Sequence, residues 1–333
     1  MSLGMNDVFL RLNAGVPVDM ETNNGRCSTL LMIAAFFGNK DVCRMLLARG
    51  ASLEKTNNGG ETSLHIACSR MDNSDTVRVL LHHYSSRNLS CINKQRDLDG
   101  ATALLLACCS VAPLEIINLL IYNGACVKTG TFTLGSTPLT RACMYPSIEV
   151  AQTLISRGAE VDRALADGRT PLMIAVVLGN MPMTQMLLDN GASIKGDSFK
   201  GGVLHMVFGR QHIVKNDESL YKLVELLLEH PKVRTEDIVQ VINSNREIDG
   251  VTPLYMACYN ENLKMVELLI SRGADVNRAI ANGRTPLPMS FGRTPLSLAQ
   301  NVSRSSGRHA LVELLLSKGA GVAGVDSPPS AVV

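Results

Sequence analysis

The sequence predicts an all-α fold, a solenoid of stacked antiparallel helix pairs with projecting β-hairpin-like loops, on three observations. First, a segment of the form Thr-Pro-Leu-x-x-Ala returns along the 333 residues, starting at positions 29, 62, 102, 137, 170, 202, 252 and 285. The steps are 33, 40, 35, 33, 32, 50 and 33, a period near 33 with two longer steps that read as loop insertions. Second, residues 156–172 read SRGAEVDRALADGRTPL and residues 271–287 read SRGADVNRAIANGRTPL, differing at four positions, each conservatively. A chain that copies one module this closely is built of repeats. Third, the chain has no Trp and only seven Phe and six Tyr, although 46% of it is apolar. A core so poor in large rings must be filled by Leu, Ile, Val, Ala, Met and Cys, which suits thin layers of closely packed helices.

Each element has its own signal. Residues 1–24 hold only the second-helix half of a unit, with Gly15 at the stop position, and are expected to cap the stack. In the array of about eight repeats, residues 25–326, a Thr opens the first helix of every unit but the sixth as a cap. Where Pro follows, as in Thr137-Pro138 or Thr252-Pro253, it occupies the first turn, where its missing N–H costs nothing. Leu and Ala at helical spacing then face the neighbouring layer. The second helix carries a Leu pair, from Leu46-Leu47 through Leu315-Leu316, and stops at Gly-Ala, as in Gly158-Ala159. Asp-Gly or Asn-Gly pairs such as Asp99-Gly100 and Asp167-Gly168 then mark the loop tips.

Some units depart from this pattern. Repeat two lacks a stop glycine, with Tyr84-Ser85 in its place, and has a long exit over residues 86–98. Repeat six has lost Thr-Pro and carries two insertions, near 211–218 and 234–246, the second with room for a short helix. It is expected to be the weak joint of the array. In the last unit Thr294 is favoured over Thr285 as the opening residue, because Pro288 disturbs a helix begun at Thr285. Residues 327–333, with Ser-Pro-Pro-Ser, read as a disordered tail.

The Thr-Pro-Leu-x-x-Ala segment, the Leu pair, the Gly-Ala stop and the spacing near 33 together resemble the ankyrin-repeat family, over roughly residues 6 to 326. The resemblance implies a non-catalytic module that binds another protein through its concave helix surface and loop tips. It also implies that His65 and His205, at a step such repeats often fill with His, bond backbone between neighbouring loops.

Composition excludes several other classes. The net charge is +2, and no Lys/Arg block marks a nucleic-acid footprint. No apolar run reaches membrane-span length, so no membrane insertion is expected. The N-terminus lacks a charged segment followed by an apolar stretch, and nine Cys without such a signal point to a reducing compartment, cytoplasmic with the nucleus also open. Cys68, Cys108, Cys143 and Cys258 share one small apolar repeat step. Layers roughly 10 Å apart cannot bring them around one ion that needs ligands at roughly 2.3 Å, so no metal and no cofactor is expected. No Ser/His/Asp set, nucleophile elbow or phosphate loop is present, which argues against an enzyme.

The residues left to carry function are those the motif does not use. Just after the small pair of each first helix, two positions are expected to face the concave groove. The candidates there are Phe36, Phe37, Arg70, Met144, Tyr145, Leu178, Arg210, Tyr259 and Asn260. Aromatic, Met and Arg groups in a row are the material of interaction hot spots. At the loop tips Arg163, Arg169, Arg278 and Arg284 recur at equivalent positions and could meet an acidic partner, although solvated charge explains them as well. The partner is expected to be another protein and the chain monomeric when alone. An adaptor, targeting or inhibitory subunit of a larger enzyme complex, or a cytoskeletal or membrane-protein scaffold, are the alternatives.

Overall fold

The computed structural model describes residues 15–22, 25–87, 91–196, 201–208, 218–247, 249–278, 295–296 and 307–320. The rest of the N-terminal half-repeat, Arg210, Arg284, both Thr285 and Thr294, and the 327–333 tail lie outside the described residues. The chain divides into two compact units, Met1–Ala166 and Asp167–Val333.

The first unit contains α1 (Leu30–Phe36) with α2 (Lys40–Ala48), α3 (Ser63–Cys68) with α4 (Ser74–Arg87), α5 (Ala103–Cys109) with α6 (Leu114–Tyr122), and α7 (Pro138–Met144) with α8 (Ile148–Ser156). First helices pack on first helices, α1 on α3 on α5 on α7, and second helices likewise, α2 on α4 on α6 on α8. The second unit contains α9 (Pro171–Val177), α10 (Met181–Asp189), α11 (Val203–Phe208), α12 (Glu218–Glu229), α13 (Thr235–Ile242), α14 (Pro253–Tyr259), α15 (Leu263–Ser271) and α16 (Gly307–Ser317). Here α9, α11 and α14 form the first-helix layer, and α12, α15 and α16 pack in series behind it.

The repeated threonine sets where each first helix begins. Thr29, Thr62, Thr102, Thr137, Thr170 and Thr252 each accept the backbone N–H three residues on, at 3.2–3.4 Å. Each bond satisfies an N–H that the helix itself cannot, contributing about 1 kcal/mol. Pro138, Pro171 and Pro253 sit in the first turn. Three second helices have a cap of their own, an Asn: Asn39, Asn180 and Asn262 accept from Val42, Met183 and Met265 at 3.0–3.1 Å. The second helices stop as expected; Gly158 takes φ +87°, and Ala159 N–H then bonds back to Leu154 O at 3.0 Å. In repeat two, where no glycine stands, α4 continues past Tyr84-Ser85 to Arg87.

Motif leucines and small residues build the core. Leu31, Leu104, Leu139, Leu172 and Leu204 are fully buried, as are Ala35, Ala67, Ala107, Ala175 and Ala257. The 234–246 insertion of repeat six folds as α13, which packs against α11 through an apolar end containing Val241 and Ile242. Among the described residues the β pairing is one isolated antiparallel bridge, Glu21 with Thr29. The loops of the first unit are nonetheless joined tip to tip by backbone bonds. Asn58 N–H donates to Arg26 O, Asp97 to Gly59, Phe132 to Asp99 and Ala166 to Leu134, all at 2.8–3.0 Å.

Candidate interaction face

Each first helix buries its Leu and Ala against the next layer, so the residues at its C-terminal end emerge beside the loops. In α1 this puts Phe36 and its cap residue Phe37 about half in solvent, 44% and 51% exposed. Their rings meet edge to face with centroids 5.3 Å apart. From the next repeat Arg70 lays its guanidinium over Phe36, 4.6 Å from the ring centre, a cation–π contact that holds both side chains in place. Beside them a groove of about 330 Å³ is floored by Met32, Ile33 and Ile66 and edged by Phe36 and Phe37.

Further along the first unit Tyr145 is 44% exposed beside a half-buried Met144. The row is not continuous between them. In repeat three Ser110 turns inward and donates its hydroxyl to Cys68 O at 2.8 Å, so that layer offers only a half-buried Cys109. In the second unit Leu178 and Tyr259 are exposed and Asn260 is half-buried.

The three tip arginines among the described residues each have a local partner. Arg163 lies 3.4 Å from Glu160, Arg169 lies 2.7 Å from Asp167, and Arg278 donates to Asn245 Oδ1 at 3.0 Å. Sequence reasoning missed a different tip surface in the first unit. Leu98, Phe132 and Leu134 are 77%, 63% and 56% exposed, and the Phe132 ring lies where a side chain on Gly100 would have to stand. Apolar residues inside the turn strings RDLDG and TFTLG were the available signal. Between tips and helices runs a charged network: Arg96 bonds Glu61 at 3.0 Å and both oxygens of Asp99 at 2.7 Å. The Arg96 guanidinium holds the Asp99 carboxyl below the usual carboxylate range.

The histidines and cysteines of the motif are spent on structure. His65 Nε2 donates to Lys94 O at 2.8 Å, while its Nδ1 accepts from Thr62 N–H at 3.1 Å. His205 Nε2 bonds Val251 O at 2.8 Å, again linking one loop to the next. Cys43, Cys68, Cys143 and Cys258 are buried thiols whose pKa burial pushes up to about 12, which keeps them protonated and apolar.

The family profile described as Ankyrin repeats (3 copies) matches residues 2–91, 31–131, 91–164, 114–198 and 211–326. Among curated proteins the chain is similar to the transient receptor potential cation channel subfamily A member 1 of Homo sapiens, 26% identical over 95% of this chain and 33% of that protein. It is also similar to the B-cell lymphoma 3 protein homolog of Mus musculus, 28% identical over 52% of this chain and 38% of that protein. The chain thus spans between 33% and 38% of these relatives' length. Among solved structures, the ankyrin repeat domain of Bcl-3, a member of the IkappaB protein family, superposes with a TM-score of 0.53 at 23% identity. That match covers 66% of this chain and 91% of the other.

Proposed function

This chain belongs to the ankyrin-repeat family, and from that premise we propose that it is a non-catalytic module that holds a protein partner on its first-helix face and loop tips. The exposed Phe36–Phe37 pair, steadied by Arg70 and edging a groove with an apolar floor of Met32, Ile33 and Ile66 and with Arg26, Asn57 and Glu61 in its lining, carries the reading. Aromatic side chains already ordered in the free protein lose little entropy on binding, which is the property of an anchor. Tyr145, Leu178 and Tyr259 extend the candidate surface within their own units, and the apolar tips Leu98, Phe132 and Leu134 add to it. The tip arginines Arg163, Arg169 and Arg278 contribute less, because each already has a neighbour to bond.

The same reading makes the chain a monomer when alone. It also puts it in a reducing compartment, cytoplasm or nucleus, because its buried thiols serve as packing groups. Among the described residues no helix is long and apolar enough to cross a membrane. A second reading, an adaptor or inhibitory subunit of a larger assembly, draws support from the similarity to Bcl-3 and its homologue.

Affinity capture from native lysate tests the proposal, comparing the natural chain with a Phe37→Ala/Tyr145→Ala variant. The expected result is a partner retained by the former and lost by the latter, with circular dichroism melts alike. Equal capture by both would count against the face.

A further inference from the structure

Arg141 stands out among the side chains of the first-helix face. It lies four residues after the cap Thr137, a step that holds Ile33, Ile66, Leu106, Ile174, Met206 and Met256 in the other repeats. Ile33 and Ile66 line the groove beside Phe36, so this step forms the floor of the face. A guanidinium therefore replaces an aliphatic group in an otherwise apolar row.

Its hydrogen bonding is incomplete. Nε of Arg141 is buried and has no hydrogen-bond partner among the described residues, and Nη1 reaches only Met144 Sδ, at 4.0 Å. Buried charged donors normally find an acceptor, because leaving one unmet costs more than the bond itself contributes. The nearby carboxylates are already committed. Both oxygens of Asp99 bond Arg96, and Glu61 bonds Arg96 and Asn57. Among the described residues Arg141 has no ion pair with a carboxylate, nor has Arg70, which rests on the Phe36 ring. Arg96 balances only one of the two charges on Glu61 and Asp99, so Arg141 brings that cluster to neutrality without bonding either carboxylate. The face thus sets a guanidinium with no carboxylate partner among the described residues beside Phe, Met, Tyr and aliphatic groups.

We infer that Arg141 is the anchor for a carboxylate of the partner, an acidic protein segment whose Asp or Glu is flanked by apolar side chains. The carboxylate accepts from the two terminal nitrogens of the guanidinium, the paired geometry that Arg offers and Lys does not. The flanking apolar groups rest on Met144 and Tyr145. Arg70 supplies a second, weaker attraction. The inference rests on the proposal that the first-helix face binds protein, and adds the chemistry of what it binds.

The test is a selection of short random peptides displayed on phage, run in parallel on the full chain and on Arg141→Leu. Leu is the residue type this step carries in repeat three, so Arg141→Leu should melt no lower than the natural chain. The expected result is a pool enriched in Asp and Glu on the natural chain but not on Arg141→Leu. Selected peptides should bind Arg141→Leu about tenfold more weakly, and Arg141→Lys in between. Changing the peptide's Glu to Gln should cause the same loss on the natural chain and little further loss on Arg141→Leu. Pools of equal acidity, or a variant that unfolds, would overturn the inference while leaving a protein-binding face in place. No enrichment on either protein would overturn the face itself, and the inference with it.

Discussion

At the scale of single residues, the motif side chains trade function for architecture, and His65 shows the trade most directly. Both ring nitrogens are engaged, Nε2 as a donor to Lys94 O and Nδ1 as an acceptor from Thr62 N–H. Protonating Nδ1 would set two donors against each other in a buried site. Burial, the larger cause, accordingly pushes the folded pKa below the usual 6.5. The unfolded chain then takes up the proton first, so the contribution of His65 is present above about pH 6.5 and fades as pH falls below it. A His65→Gln variant should therefore melt well below the natural chain at pH 7.5, with the gap narrowing toward pH 5. A gap that widens on acidification would contradict this bonding pattern. His65 was readable in advance because the resemblance to ankyrin repeats implies a backbone bond at its step, which His205 shares. Arg141 was not, because the repeat tells which positions face the groove but not whether a guanidinium there finds a carboxylate. That depends on where Arg96, two elements away in sequence, places its own bonds.

At the scale of elements, most helix starts were legible because one threonine does the same work at each. The second-helix caps were less so. Asn39, Asn180 and Asn262 stand after a residue in the left-handed region: Gly38, Gly179 and Glu261 at φ +69°, +67° and +52°. In the α5–α6 turn the same conformation falls on Val111, at φ +53°. A β-branched side chain there is strained by roughly 1–2 kcal/mol, offset in part by the entropy a glycine would lose. Val111 is more than half exposed, so little packing is at stake. Val111→Gly should raise stability by up to about 1 kcal/mol in a urea titration. A decrease would mean that the Val111 side chain contributes more than its exposure suggests. The 234–246 insertion was legible as extra length with room for a short helix, but not as to where that helix packs. Its fold as α13 depends on an apolar stripe, Ile238, Val241 and Ile242, that has a partner only once α11 is in place.

At the scale of the whole molecule, periodicity exposed the repeat architecture but not the division at Ala166–Asp167, where the 33-residue spacing runs through unbroken. The motif records what each layer needs from its neighbours, which is the same on both sides of that point. Within a unit, stability is a sum of repeat and interface terms, so damage to one layer should spread to the layers it touches. Leu104 is fully buried in α5, between α3 and α7. Leu104→Asp would bury an unpaired charge, and hydrogen exchange should show lost protection in α3, α5 and α7 together. Loss confined to α5 would contradict layer-to-layer coupling.

The division of labour between motif and free positions is open to one direct measurement. A photo-crosslinking amino acid is placed at Phe37, at Tyr145, or at Tyr122 on second helix α6, where the side chain is 82% exposed. Irradiation in native lysate should yield a protein adduct from positions 37 and 145 and none from 122. An adduct from position 122 alone would put the partner on the second-helix layer and contradict the assignment of the first-helix face.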